Sequence, residues 1–255
     1  MKTHFIHPEL WSESWEYSSY ITPPPPIQQI HTLCHLYTTN TPNSSLPPLL
    51  KDTITSLSNR IHHPTTFTTL LSTTQALLLA QSMLLLTEDP ATPYSESTSA
   101  MLYHIGHKLW AQAPIQLPNS LSPRKAWLMG ETVRRTIIIS FVLRSVYSML
   151  KRGYSVRTPF IDALPFDLRT VLWDDVFAQW NGGLDEVEAR DGTESMVSLY
   201  QYSAMLESGA VHGISEFGGL VLAACRGIGV EEVPFPSVKE YRCSSTIGVE
   251  PVKWH

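Results

Sequence analysis

The residues with the clearest chemical potential are one acid and two arginines close together in the sequence. Glu131 is followed by Arg134 and Arg135, three and four positions later. This spacing lets a carboxylate pair with either guanidinium across one turn of a helix. Two roles fit the pattern. The three side chains form a structural ion pair at the edge of a core, or one guanidinium faces a cavity and grips a carboxylate or phosphate of a bound molecule.

Two histidines form the second group with chemical potential. His104 and His107 precede Trp110 and share one face with it if the stretch is helical. Imidazole titrates near neutrality, so either ring could act as a general acid or base. A histidine pair without a neighbouring carboxylate or cysteine is also typical of an ordinary helix surface. His104, His107 and Arg135 are the candidates for catalysis.

Four tryptophans fall on apolar faces of predicted helices, namely Trp110, Trp127, Trp173 and Trp180. A buried indole usually needs an acceptor for its N–H group. These rings either fill the core or line a pocket of the kind that forms between helices. Together with Glu131, Arg134 and Arg135, the rings of Trp110, Trp127 and Trp173 make up the predicted ligand-binding set.

Patterns for metals, nucleophiles and nucleotides are weak or absent. His31, Cys34 and His35 could place two or three ligands on one helical turn, but no second ligand group follows at a recognisable spacing. Cys225 lies in an apolar stretch and reads as a small core residue. The sequence has no nucleophile elbow, phosphate loop, dinucleotide fingerprint or His-Glu-x-x-His. We expect neither a metal nor a cofactor.

Composition excludes several classes of protein. The 255 residues are 43% hydrophobic and 16% charged, with a net charge of -5, and nucleic acid binding needs clustered positive charge instead. Three scattered cysteines indicate reduced thiols, so we expect the nucleus or cytoplasm. The most apolar run, taken as Thr136–Leu150, is shorter than the roughly 20 residues of a membrane span. It reads as a buried core helix, and no membrane contact is expected.

Hydrophobic periodicity predicts an all-α fold packed around one long central helix. That helix starts at Ser122-Pro123, an N-cap followed by a first-turn proline, and ends at Arg152 before Gly153. We expect a single domain over residues 1–227 and an irregular tail over 228–255. The other predicted helices are Ile27–Tyr37, Leu49–Ile61, Phe67–Leu86, Ser95–Ala111, Leu172–Trp180, Ser195–Glu207 and Ser215–Arg226.

Several motifs occur together in an order that points to a known family. They are Phe5-Ile6-His7-Pro8, Gln75 to Gln81, Trp127 with Glu131 and Arg134-Arg135-Thr136, Leu164-Pro165 with Leu172-Trp173 and Trp180, and Glu216 to Gly227. In this order they resemble the C-terminal regulatory half of fungal transcription regulators that carry a six-cysteine binuclear zinc cluster. The resemblance implies an all-α domain that senses small molecules or partner proteins and modulates a linked DNA-binding domain.

The zinc cluster itself is missing from this sequence. Such a cluster needs six closely spaced thiolates, and the first forty residues contain only Cys34. We therefore expect a regulator-like domain that does not contact DNA and that is tied to a fungal secondary-metabolite pathway. Its expected partner is a hydrophobic small molecule or a protein, with homodimerisation also open. The alternatives are an enzyme that cyclises or rearranges a polyketide or terpenoid intermediate, and a truncated product without activity.

Overall fold

A computed structural model describes ten stretches of the chain: residues 3–12, 23–39, 46–61, 66–87, 93–116, 123–154, 163–168, 173, 195–209 and 216–226. These stretches contain eight helices and two short strands, so the predicted all-α class is confirmed. In chain order they are α1 (Pro8–Ser12), α2 (Pro25–Thr38), α3 (Leu46–Ile61), α4 (Phe67–Thr87), α5 (Pro93–Gln116), α6 (Pro123–Arg152), β1 (Pro165–Asp167), β2 (Met196–Ser198), α7 (Leu199–Glu207) and α8 (Glu216–Arg226).

The longest of these helices, α6, has the bounds that its capping residues predict. Pro123 occupies the first helical position, where a missing N–H costs nothing because that group has no partner inside the helix. At the other end, the amide of Gly153 donates to the carbonyl of Met149 at 2.9 Å. Gly153 has a φ of +76°, which a residue without Cβ adopts without strain. The helix therefore ends after Arg152.

Two helices, rather than one, share the interior. α4 packs against α2, α3, α5 and α6, while α6 packs against α1, α4, α5, β1 and α8. Leu70 and Leu71, and one to two turns later Leu77 and Leu78, are all fully buried in α4. The structure therefore does not show the single central helix that we expected. An apolar surface that runs almost all round a helix requires several packed neighbours, and α4 has four among the described elements.

The helix α4 is also the one described element that is long and apolar enough to cross a membrane. The apolar stretch is Phe67–Leu86, and 72% of its most apolar 18 residues are buried inside the protein. The run Thr136–Leu150, which we predicted to be a buried core helix, lies in α6, where Ile137, Ile138 and Phe141 are buried. Length and composition are shared by membrane spans and by core helices, and α4 is covered by neighbouring helices.

A small antiparallel sheet replaces the start of one predicted helix. The prediction placed Ser195–Glu207 in a helix, but Met196–Ser198 form β2 and pair with β1, with Phe166 opposite Val197. The reason is a capping box at Ser198. Its side chain accepts from the amide of Gln201 and the Gln201 side chain accepts from the amide of Ser198, so helix α7 begins at Leu199.

Other predicted helices are confirmed with small shifts of their ends. The largest shift is in α5, which continues five residues beyond the predicted Ala111, to Gln116. Trp180, most of the predicted helix Leu172–Trp180, and the tail over residues 228–255 lie outside the described residues.

Candidate functional site

Glu131 forms ion pairs with both arginines on α6. The Nε atoms of Arg134 and Arg135 donate to different carboxylate oxygens of Glu131, at 3.0 and 2.8 Å. Glu131 is fully buried and Arg135 is 1% exposed, whereas the Arg134 side chain is 25% exposed. One arginine of the pair therefore points into the protein and the other reaches its surface.

The guanidinium of Arg135 lies over two aromatic rings. Its central carbon is 4.2 Å from the ring centroid of Trp173 and 4.5 Å from that of Phe217, close enough for cation–π attraction to each ring. Its Nη1 donates to the carbonyl of His4 at 3.4 Å. The buried Nη2 has no hydrogen-bond partner among the described residues. The cation is thus paired with a carboxylate and packed against two rings, yet one of its nitrogens, Nη2, has no acceptor among the described residues.

Two of the predicted tryptophans meet next to this cation. Trp127, Leu128 and Trp173 form a small buried cluster. The Trp127 indole donates to Oδ2 of Asp167 at 2.6 Å, and the Trp173 indole donates to the carbonyl of Thr3 at 3.2 Å. Both indoles therefore have the acceptor that burial requires, and both serve as packing and as hydrogen-bond donors.

The residues before α1 fold over this cluster. A tight turn over Thr3–Ile6 is closed by the Thr3 amide, which donates to the carbonyl of Ile6 at 3.1 Å. From α4, Nε2 of Gln75 donates to the carbonyl of Phe5 at 2.8 Å and to Oγ1 of Thr136 at 3.2 Å. The ring of His7 is buried and packs edge-on against Trp173, with centroids 5.1 Å apart. The turn, α4 and α6 are therefore linked by buried polar contacts.

The remaining predicted site residues lie in different surroundings. His104 and His107 are exposed on α5, and both rings pack against Tyr103, at centroid distances of 5.6 and 4.6 Å. Trp110 is 44% exposed on the same helix. Arg135, by contrast, is in the interior. The described contacts do not bring the three candidates for catalysis into one group.

The predicted metal pattern is split between surface and interior. His31 and His35 are exposed on α2, and Cys34 is half-buried against the core. Burial raises the pKa of the Cys34 thiol, which makes the reactive thiolate scarcer. Within the described stretches, no three His, Cys, Asp or Glu side chains are grouped so that they could hold a metal ion.

Four residues that contact Arg135, the two tryptophans or the Thr3–Ile6 turn were not predicted as site residues. They are His7, Gln75, Asp167 and Phe217. A signal existed for Gln75, since an amide directly before the apolar run Ala76–Ala80 must find a buried partner. His7 and Phe217 belong to motifs of the resemblance, but neither these motifs nor the residues around Asp167 showed a site role, because each acquires that role from a contact with a residue far along the chain.

The arrangement is suited to binding rather than to proton transfer. A guanidinium keeps its charge throughout the physiological range, so Arg135 can hold and orient an acceptor oxygen but is a poor general acid or base. With Nε paired to the buried carboxylate and Nη1 to the His4 carbonyl, Nη2 is the nitrogen of Arg135 that can still recognise an oxygen. No family model, curated protein or solved structure matches the chain.

Proposed function

We propose that this chain is an effector- or partner-responsive regulatory domain of the kind found in fungal zinc-cluster transcription regulators, and that it acts in the control of a secondary-metabolite pathway without contacting DNA itself. A hydrophobic small molecule or a partner protein binds beside α6 and shifts the packing of that helix. Glu131, Arg135 and Trp173 are the central anchors of the site.

One observation carries the proposal: motifs that are widely separated in the sequence meet in one place. Gln75, from the second motif of the resemblance, holds Phe5 of the first and Thr136 of the third. Arg135, also of the third, stacks on Trp173 and Phe217 of the fourth and fifth. All five motifs on which the resemblance rests therefore contribute to one set of connected, buried contacts around Gln75 and Arg135, as expected if they form one functional unit.

The same cluster supports a particular class of effector. A buried donor without a partner costs roughly 1–3 kcal/mol, so a ligand oxygen that reaches Nη2 of Arg135 would recover that free energy. The two aromatic rings next to the guanidinium favour an apolar molecular body. An apolar molecule that carries a carbonyl or carboxylate oxygen meets both requirements.

The charge of the chain supports a role that does not involve direct DNA contact. A net charge of -5 opposes association with phosphates. A gel-shift titration of the purified chain with duplex DNA at moderate salt checks this point. We expect no retarded complex, and tight, sequence-selective binding would contradict the proposal.

Deletion of the gene in its source organism tests the regulatory role. We expect the transcripts of a whole biosynthetic pathway to fall together. If the transcripts stay intact while one intermediate accumulates, the chain acts in catalysis and the proposal is wrong.

A matched pair of substitutions tests whether the cluster is the site of regulation. Arg135→Lys removes the planar fork and its stacking, while Arg134→Lys alters the more exposed arginine of the same ion pair. We expect pathway transcripts to fall in the first variant and to persist in the second. The melting temperature of both purified variants is measured, so that loss of the fold is separated from loss of response.

A further inference from the structure

The turn before α1 is held by the rest of the protein through three successive backbone carbonyls. The Thr3 carbonyl accepts from the indole of Trp173, the His4 carbonyl from Arg135 and the Phe5 carbonyl from Gln75, at 3.2, 3.4 and 2.8 Å. The three donors belong to separate elements of the fold. A row of carbonyls, each met by its own donor, is a way of recognising a peptide backbone regardless of most of its side chains.

The turn supplies its own internal hydrogen bonds. Oγ1 of Thr3 accepts from the amides of Ile6 and Phe5, at 2.9 and 3.3 Å, and the Thr3 amide donates to the carbonyl of Ile6. The N–H groups of Thr3, Phe5 and Ile6 are therefore satisfied within the turn, while the carbonyls of Thr3, His4 and Phe5 accept from the rest of the protein. Such a segment is preorganised, and ordering it on binding costs little.

Side chains of the turn fill an apolar and aromatic surface beneath it. Phe5 and Ile6 are buried and belong to the main core cluster, and His7 packs on Trp173. The same Trp173 ring also stacks on Arg135. The turn therefore makes the two kinds of contact that a bound peptide makes. Its three carbonyls accept hydrogen bonds, and its side chains pack against apolar and aromatic residues.

We infer that Gln75, Arg135 and Trp173 form a recognition site for a peptide turn, occupied here by the chain's own Thr3–His7. The site binds a peptide that presents three successive carbonyls beside a buried aliphatic residue and a histidine. This inference rests on the proposed function and deepens it: an effector or partner that takes the place of the turn gains Nη1 of Arg135, which the His4 carbonyl occupies, beside the unpartnered Nη2. Release of the turn is then the regulated step.

The test uses the full chain with a protease recognition sequence placed between Ser12 and Pro23. After cleavage, a fluorescein-labelled peptide with the sequence of Met1–Ser12 is added and its fluorescence anisotropy is followed. We expect saturable uptake of the peptide by the cleaved protein. Uptake by the uncleaved protein should be at least about tenfold weaker, because the tethered turn competes at a local concentration on the order of millimolar.

Two controls distinguish recognition of the turn from general burial of apolar side chains. Gln75→Leu removes the donor to Phe5, whereas Gln81→Leu removes an equally buried amide of α4 that donates to Ser95 instead. We expect peptide affinity to fall about tenfold in the first variant, the value of roughly one buried hydrogen bond, and to persist in the second. A peptide with Thr3→Ala should also bind more weakly, because its turn is no longer preorganised.

The opposite results would overturn the inference. They are failure of the labelled peptide to exchange, precipitation of the cleaved protein as the segment leaves, or equal effects of the two glutamine variants. Hydrogen exchange of the uncut chain provides a measurement that needs no variant. The amides of Phe5 and Ile6 should lose protection at least about tenfold more readily than those in the middle of α4 and α6, and equal protection would contradict release of the turn. None of these readouts depends on transcription, so failure here is separate from failure of the proposed function.

Discussion

Replacing Glu131 by glutamine should destabilise the protein far more than a surface substitution does. Glu131 is fully buried and neutralises Arg135, which is 1% exposed. Glu131→Gln keeps the volume of the side chain but leaves the Arg135 cation uncompensated. Removing one partner of a buried pair costs about 3–5 kcal/mol. For a domain of this size that is a fall in Tm of about 6–20 °C.

The two arginines provide the comparison that makes this prediction sharp. Arg135→Met should cost about as much as Glu131→Gln, since it leaves the buried Oε1 of Glu131 without its donor and removes the contacts of the guanidinium with Trp173 and Phe217. Arg134→Met should cost at most about 1 kcal/mol, because the Arg134 side chain is 25% exposed and its pair is screened by water. The double variant Glu131→Gln/Arg135→Met leaves no unpaired charge in the interior, because the remaining cation, Arg134, is 25% exposed. Its cost should therefore be less than the sum of the single costs, by about 2 kcal/mol or more.

Urea unfolding of the three single variants and of the double variant measures these free energies. The reasoning fails if Glu131→Gln costs less than about 1 kcal/mol, or if the losses from Glu131→Gln and Arg135→Met simply add. Equal losses from Arg134→Met and Arg135→Met would refute it as well, because the difference in burial is the basis of the prediction.

Three further predictions rest on other parts of the structure. Gly218→Ala should lower the free energy of unfolding by about 1–3 kcal/mol, because a Cβ at position 218 would lie 2.7 Å from the ring of Tyr202. If this contact is the cause, urea unfolding should show a smaller loss when Gly218→Ala is introduced into the Tyr202→Leu variant. The hydrogen bond from Lys151 lowers the pKa of Glu96, so the stabilisation by this ion pair is present above the ordinary glutamate pKa and is lost as the pH falls through the lowered pKa. In the variant Lys151→Met, NMR titration should show that the Glu96 pKa rises again. An unchanged Glu96 pKa would count against the ion pair. Since burial raises the pKa of Cys34, its alkylation at pH 8 should be several-fold slower in the native protein than in urea, as followed by peptide mass spectrometry, and equal rates would contradict the burial.

Local patterns in the sequence determined most of the helices and one part of the site. The pairing of Glu131 with Arg134 and Arg135 follows from a spacing of three and four residues, which is a property of any helix. In the same way, Pro123 and Gly153 mark the ends of α6 because their backbone preferences act at their own positions. These features need no knowledge of the rest of the chain.

The short sheet shows where local patterns were not enough. Met196 and Val197 are compatible with a helix by composition, and only pairing with the distant Pro165–Asp167 makes them a strand. For the same reason the expectation of a single central helix was not met. Which helix is interior depends on how many neighbours cover it, and α4 is covered on most sides.

The sequence by itself determined that an acid and two arginines share one helical face, but tertiary structure alone decided which arginine matters. Arg134 and Arg135 are adjacent and chemically identical, and only the docking of Trp173 and Phe217 makes Arg135 the buried, stacked cation. The roles of Gln75 and His7 were decided in the same way. Spacing along a helix is local, whereas burial and stacking are properties of surfaces that meet only when distant segments pack together.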